Sequence, residues 1–228
     1  MVGDLRAGRT GALSLAYFAS VGSAWMPSVV ATMMREFPAV RLDLALREDV
    51  PTDPAERPDL QIAVEQGALH RPGLVVRHLL DDPYVAVLPV THQLADRDEI
   101  ELAELAGDRW VDNDFARGWC RRNLLEACHA AGFSPPFHVE AHDYPTAMAF
   151  VAAGIGLTVV PRLGARQLPP GVVAVPVVSP TPVRSIFALV RDGVADTPAL
   201  RTVLTVLTRL GAEATSTEAG NPTLVGVR

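Results

Sequence analysis

The sequence predicts an α/β fold built from two small lobes. Three observations carry that prediction. Strand-like runs alternate with amphipathic helical stripes along most of the chain, the order that packs helices onto largely parallel sheets. The segment AFVAAGIGLTVVP, Ala149 to Pro161, compresses one such unit into thirteen residues. The length, 228 residues, with βα units concentrated in two segments, favours two modest cores over one large one.

The elements follow in order. Met1 to Gly8 is polar and aperiodic, and residues 1–7 read as a linker stub. Ala12 to Tyr17 is a first strand, and Ser20 to Ser23 offers caps for the helix after it. Trp25, Met26, Val29, Val30, Met33, Met34 and Phe37 form a wide apolar stripe that Pro38 ends. Val40 to Leu46 alternates apolar and polar, the period of a strand. Glu48 to Pro58, with Pro51, Pro54 and Pro58, reads as loop. Strands follow at Leu60–Val64, Leu74–Leu80 and Pro83–Pro89.

A short helix near Leu102–Leu105 precedes a strand at Arg109–Val111. Trp119 to Ala131 is helical, with Leu124, Leu125 and Cys128 on one side and Gly132 as its stop. Phe137–Ala141 is a strand. Asp143 then caps a helix whose first turn tolerates Pro145. In that helix Met148, Val151, Ala152 and Ile155 share one face. Gly154 is placed to end it in the left-handed conformation, and Leu157 to Val160 is a strand covered on both faces. Val172–Val178 and Ile186–Val190 are strands. Thr197 caps a last helix striped by Leu200, Val203, Leu204, Leu207 and Leu210. Residues 212–228, rich in Ser, Thr and Gly, read as a disordered tail.

Composition narrows the function. Hydrophobic content of 49% with 20% charged residues is that of a soluble globular protein. A net charge of −6 argues against a surface that holds nucleic acid by itself. The sequence shows no export signal and no apolar run near the ~20 residues that cross a bilayer, so a cytoplasmic protein without membrane contact is expected. Cys120 and Cys128, if on one helix, lie roughly 12 Å apart at about 1.5 Å per residue, too far for a disulfide.

Taken in order, several motifs resemble one family. These are GALSL at Gly11–Leu15, the helix beginning near Ser23, and FPAVRL from Phe37 to Leu42. DLQIAV from Asp59 resembles a "DLAI" strand. Tyr84–Pro89 followed by His92-Gln93-Leu94-Ala95 resembles a strand and "HPLA" turn. LAELAG from Leu102, then Arg109-Trp110, and finally AFVAAGIGLTVVP complete the series. Over roughly Gly8 to Gly211 the chain resembles the effector-binding domain of LysR-type transcriptional regulators.

That resemblance implies a fold like type 2 periplasmic binding proteins, with two Rossmann-like lobes joined by two crossover strands and a ligand between them. Lobe I would be residues 8–82 plus 187–211, and lobe II residues 83–186. It also implies a homodimer, or a tetramer in the full-length protein. In the dimer, Trp25, Met26, Val29 and Met33 of one subunit would meet Leu124 and Leu125 of its partner. DNA would be bound only through an N-terminal winged helix-turn-helix, which is absent here. Gln93 stands where the family has proline, and the broken Glu48–Pro58 segment replaces a helix the family often has.

In open parallel sheets ligands bind beyond the carboxyl ends of strands, at helix N-termini. Three such ends, matching the family's effector-contact segments by position, hold Ser20 and Ser23; Asn113, Asp114 and Phe115; and Asp143, Tyr144 and Thr146. Capping and ligand contact both fit Ser20, Ser23, Asp143 and Thr146. Asp112, Asp114 and Asp143, offset in part by Arg117 and Arg162, would repel a carboxylate, so a cationic or hydroxyl-rich small-molecule effector is expected.

Sharper chemistry finds little support. Gly154-Ile155-Gly156 closes a helix, whereas a phosphate loop opens one, so no cofactor is expected. His138 and His142 would be ~13 Å apart on a strand, and neither cysteine has a CxxC partner, so no metal is expected. No GxSxG elbow presents a serine beside His142-Asp143, so no catalytic residue is assigned and the chain is not read as an enzyme. A transporter's solute-binding protein shares the implied fold but needs export. A thiol redox sensor is the third reading, since Cys120 and Cys128 fall where peroxide-sensing relatives carry their reactive pair, one residue closer together. Arg121 and Arg122 would make Cys120 more acidic. The plainer reading is a cysteine at a helix start and a small core residue.

Overall fold

The structure is a computed structural model that describes residues 11–64, 72–114, 117–220 and 224–225, with side chains as far as residue 216. Residues 1–7, read as a linker stub, lie outside the described residues. The chain divides into two compact units, Met1–Leu80 with Ser185–Thr215, and Asp81–Arg184 with Ser216–Arg228.

Unit 1 is built on a sheet whose strands are β1 (Gly11–Tyr17), β2 (Val40–Leu46), β3 (Leu60–Val64) and the adjoining parts of β4 (Leu74–Pro89) and β10 (Val183–Arg191). Their order is β4-β10-β3-β1-β2. β1 runs parallel to both β2 and β3, in register Leu15↔Leu44 and Leu15↔Leu60. β10 runs antiparallel to β3. The hydrophobic runs separated by helices account for the parallel pairs.

Helix α1 (Ala19–Ala24) follows β1, and α2 (Met26–Glu36) follows α1. Pro27 falls in the first turn of α2, where its missing N–H is harmless. Trp25, Met26, Val29 and Met33 are buried, each burial contributing about 1.5–3 kcal/mol. α5 (Pro198–Gly220) lays Leu200, Val203, Leu204, Leu207 and Leu210 into the same kind of core.

The "DL" of the DLQIAV strand has a structural task. Asp59 Oδ2 accepts hydrogen bonds from the Ser14 backbone N–H and hydroxyl, both at 2.8 Å. The Asp59 N–H donates to Ser14 Oγ at 2.9 Å. Arg191 Nη2 donates to Asp59 Oδ1. One buried carboxylate thus ties β1, β3 and β10 together.

Unit 2 centres on the other part of β4. That strand pairs antiparallel with β8 (Thr158–Pro161) on one edge and β9 (Val172–Val178) on the other. β5 (Ile100–Glu101) runs parallel to β9. A second small sheet joins β6 (Trp110–Asp112) and β7 (Phe137–Glu140) in parallel, and a bridge links Trp110 to Leu157. α3 (Trp119–Ala130) follows β6, and α4 (Tyr144–Ala152) follows β7. On β4, Tyr84, Ala86 and Leu88 enter one apolar cluster with Trp110, Leu124 and Cys128. Val85 and Val87 enter another with Met148, Val151 and Val160. The strand is covered on both faces, so its YVAVLP run needs no polar alternation.

Four expectations change. Leu74–Leu80 and Pro83–Pro89 are one continuous strand; Asp81 and Asp82 do not break it because Asp82 is paired internally. The sheets are mixed rather than largely parallel, because β4 and β10 run against their neighbours. The last helix continues to Gly220, and β11 (Leu224–Val225) pairs antiparallel with β9, so that part of residues 212–228 is ordered. Trp25, Met26, Val29, Met33 and Leu124 are buried within the chain itself and Leu125 half-buried. Trp25, Met26, Val29 and Met33 thus contribute to the chain's own core, whereas Val30 and Phe37 of the same stripe are half-buried. The outward side of α2 instead carries Met34, 69% exposed.

Two glycines explain the helix-to-strand motif. Gly154 has φ of 75° and ends α4, as a left-handed stop requires. Gly156 passes so close to Arg109 that a Cβ would lie 2.4 Å from its carbonyl oxygen.

Candidate functional site

In unit 2 the carboxyl ends of β6 and β7 lie side by side, because the strands are parallel and the Ala141 N–H donates to the Asp112 carbonyl at 2.8 Å. This brings the Asn113–Asp114 segment and the start of α4 together. Asp112 is buried and its carboxylate is held by Arg121 Nε at 2.7 Å, so it is neutralised rather than offered to a ligand.

Asn113 is pinned in one orientation. Its Nδ2 donates to Thr158 Oγ1 at 2.8 Å and to the Val159 carbonyl at 2.9 Å. A carbonyl can only accept, so the amide cannot be turned over. The Thr158 hydroxyl in turn donates to the Val111 carbonyl at 3.0 Å. Asn113 Oδ1 is left as a fixed acceptor on a half-buried side chain.

Asp114 Oδ2 accepts from the Gly118 N–H at 3.1 Å, just ahead of α3. Asp143 Oδ1 accepts from the Thr146 N–H at 2.7 Å and caps α4. The capping role expected for Asp143 is therefore realised, and Thr146 serves as the capped donor. Arg117, next to this turn, is exposed and has φ of 54°, a left-handed conformation that a non-glycine residue adopts at a cost of about 1–3 kcal/mol. Phe115 lies outside the described residues.

Tyr144 stacks over Gly164, where a Cβ would meet the ring at 2.5 Å. Beneath it is a polar cluster that the sequence does not announce. Arg184 binds Asp82 Oδ2 through Nε at 2.9 Å and Nη2 at 2.8 Å. The Leu163 N–H donates to Asp82 Oδ1 at 2.9 Å, and the Tyr84 hydroxyl donates to the Cys120 carbonyl at 3.1 Å. Burial pushes the Tyr84 and Tyr144 phenols well above their usual range. Burial also raises the Asp82 carboxyl, against the pull of Arg184. Burial opposes the Arg184 charge too, but the Asp82 carboxylate outweighs it and Arg184 stays protonated.

In unit 1 the serines are not caps. α1 begins at Ala19 with Phe18 at the cap position, whose side chain makes no cap. Ser20 is buried, while the exposed Ser23 donates its hydroxyl to the Ser20 carbonyl at 3.2 Å. The residue that reaches the start of α1 is Glu48, whose Oε1 accepts from the Ala19 N–H at 3.4 Å. Beside it, Gln61 donates Nε2 to the Asp49 carbonyl at 2.7 Å. Gln61 is 2% exposed, and its Oε1 has no hydrogen-bond partner among the described residues.

Sequence reasoning missed Glu48, Gln61, Thr158 and the Asp82–Arg184 pair. Gln61 carried a visible signal, a polar side chain in the middle of an apolar strand. The pair is separated by 102 residues and has no local signature.

Cys120 and Cys128 are free and occupy α3. Burial pushes the Cys128 thiol up to about 12, which makes it a poor nucleophile. Among the described residues no group of histidine, cysteine and carboxylate side chains could hold a metal ion. No described helix is long and apolar enough to cross a membrane.

Comparison with known proteins agrees with this architecture. The chain is 26% identical over 160 residues to the HTH-type transcriptional regulator AlsR of Bacillus subtilis, covering 68% of this chain and 52% of that protein. It is 27% identical over 199 residues to the DNA-binding transcriptional dual regulator OxyR of Escherichia coli, covering 81% and 61%. The chain thus spans little more than half the length of these regulators. Its fold matches the BenM effector binding domain, solved with its effector benzoate, with a TM-score of 0.73 at 15% identity over 90% of this chain and 94% of that one. The family model of the LysR substrate binding domain matches residues 6–212, and the chain belongs to that family.

Proposed function

We propose that this chain is the effector-sensing part of a LysR-type transcriptional regulator. The observation that carries the reading is the family match over residues 6–212, on a fold whose helix starts follow strand ends, where such folds take up ligands. A small molecule bound there stabilises one conformation of the domain over another. That preference, passed to a DNA-binding segment, changes transcription. The ligand needs only a differential affinity for the two states, and no bond is made or broken. The relatives named as regulators favour this over a transporter's solute-binding protein. The redox reading is disfavoured by an inert Cys128 on the same helix as Cys120.

The test is native mass spectrometry of the chain after incubation with a bacterial metabolite extract, followed by calorimetry with whatever is retained. A saturable one-to-one adduct is expected. No adduct and no thermal stabilisation by any fraction would remove the proposal.

A homodimer belongs to the same reading, though through other residues than the stripe on α2. Among the described residues β2 ends its sheet and exposes Leu46 at 62% and Leu44 at 42%, an apolar edge suited to association. Light scattering should give twice the chain mass, and Leu46→Lys should shift the equilibrium toward monomer. A clean monomer at micromolar concentration counts against it.

A further inference from the structure

We infer that Asp82, Arg184 and Tyr84 are positioning residues for ligand recognition, holding the starts of α3 and α4 in the arrangement that an effector meets in unit 2. The inference rests on the effector-sensing reading and adds to it the residues that keep unit 2 ready for its ligand.

The Asp82–Arg184 pair is not required by the packing of the unit. Both side chains are buried, and taking two charges out of water costs about as much as their attraction returns, so apolar residues of similar size often serve stability equally well. Its contacts set it apart. Asp82 lies on β4 and Arg184 on the neighbouring β10. These are the positions where the long segment of unit 2, Asp81–Arg184, begins and ends. From there the pair reaches three further elements.

Asp82 Oδ1 accepts from the Leu163 N–H at 2.9 Å and so fixes the turn Arg162–Ala165 that follows β8. Gly164 of that turn lies against the ring of Tyr144, the first residue of α4. Arg184 Nη1 donates to Cys120 Sγ at 3.9 Å, in the first turn of α3. Tyr84, buried further along β4, donates its hydroxyl to the Cys120 carbonyl at 3.1 Å. One buried cluster thus touches the first turn of α3 directly and that of α4 through a single turn.

α3 depends on this support more than α4 does. Asp143 caps α4 through the Thr146 N–H at 2.7 Å. The cap residue of α3 is Gly118, which has no side chain to close the helix, and Asp114 reaches only the Gly118 N–H ahead of it. A helix end without fixed partners frays, and the hold of Tyr84 and Arg184 on Cys120 anchors that end from inside the unit. Asn113 and Asp114 lead into this turn. A binding constellation has to be held to about 0.5 Å, so looseness at either helix start costs affinity without unfolding the unit.

The test is amide hydrogen exchange on the full chain, comparing the wild type with Asp82→Leu/Arg184→Leu and with Tyr84→Phe. The double variant removes both charges together, and exchange in β9 of the same molecule reports any general loss of stability. Exchange in α3 and α4 should rise about tenfold beyond any change in β9. Tyr84→Phe removes one hydrogen bond and should raise exchange in α3 about fivefold, leaving α4 unchanged. A rise shared equally by β9 means that the pair only stabilises, and overturns the inference; so does unchanged exchange in both helices. If the double variant does not fold, Tyr84→Phe decides alone, and unchanged exchange in α3 overturns it.

Native mass spectrometry with the bacterial metabolite extract separates this inference from the reading beneath it. A metabolite retained by the wild type should be lost or held at least tenfold more weakly by the double variant. Equal retention overturns the positioning role and leaves the sensing role standing. If the wild type retains nothing, the sensing role falls and the cluster has no ligand to prepare for, whatever the exchange shows.

Discussion

Replacing Arg184 by leucine should destabilise unit 2 by about 3–5 kcal/mol, the range for removing one partner of a buried ion pair. The structure explains why the cost should fall at that level. The side chains of Arg184 and Asp82 are 2% and 1% exposed, so water cannot replace what is lost. Asp82 would keep one donor, the Leu163 N–H at 2.9 Å, and lose both guanidinium contacts at 2.8 and 2.9 Å. Burial already holds the Asp82 carboxyl above its ordinary value while Arg184 pulls it down, and without Arg184 it rises further. A carboxyl raised in the folded state favours folding below its unfolded value, and that contribution is lost as pH rises through the folded value. The deficit of Arg184→Leu relative to wild type should therefore be largest near neutral pH and shrink as pH is lowered and Asp82 takes up a proton. Urea unfolding at a series of pH values, followed by the fluorescence of the buried Trp110, measures both. The double variant Asp82→Leu/Arg184→Leu should cost less than the sum of the two single changes, because neither member of the pair is left buried without the other. A loss below ~1 kcal/mol, or a deficit independent of pH, would refute the reasoning.

Three other outcomes follow from single contacts. Gly156→Ala places a Cβ 2.4 Å from the Arg109 carbonyl oxygen and should cost about 1–3 kcal/mol; Gly107→Ala, with open space around it, is the neutral control in the same melt. Asp143→Ala removes the cap on the Thr146 N–H and should lower stability by about 0.5–2 kcal/mol, with asparagine restoring it. With iodoacetamide at mildly alkaline pH, the half-buried Cys120 should label in the native chain and Cys128 only after unfolding. The Cys128 thiol is pushed up to about 12, so its contribution to stability is intact at ordinary pH and lost only as pH rises toward that value. Native labelling of both would contradict its burial.

The elements most legible in the sequence were those stated by neighbours. Gly154 after α4 and the β-rich run to Pro161 were readable from residues within a few positions, and of the face read for α4 Met148 and Val151 are buried, while Ala152 is exposed and Ile155 lies past the helix end. Asp143 as a cap was readable in the same way. Errors arose where a pattern had two readings of equal local merit. Trp25, Met26, Val29 and Met33 fit an interface stripe or a core stripe equally well, and their burial within the single chain is visible only in the fold. Ser20 and Ser23 have the chemistry of caps, but α1 starts one residue earlier and closes without them. Asp112 looked like a charge facing the ligand until Arg121 took it.

By itself the amino-acid order determined which segments become helices and strands, where most of them stop, and which family the chain resembles. Those properties depend on backbone preferences and hydrophobic period, which act over one or two turns. Only the tertiary structure decided which polar groups remain available. It paired Asp82 with Arg184 across 102 residues, set Glu48 at the start of α1, and turned Asn113 so that its nitrogen is spent and its oxygen is not. Whether a hydrogen-bonding group is used inside the protein or left for a ligand depends on its partner, and that partner is brought close by the fold rather than by adjacency in the chain.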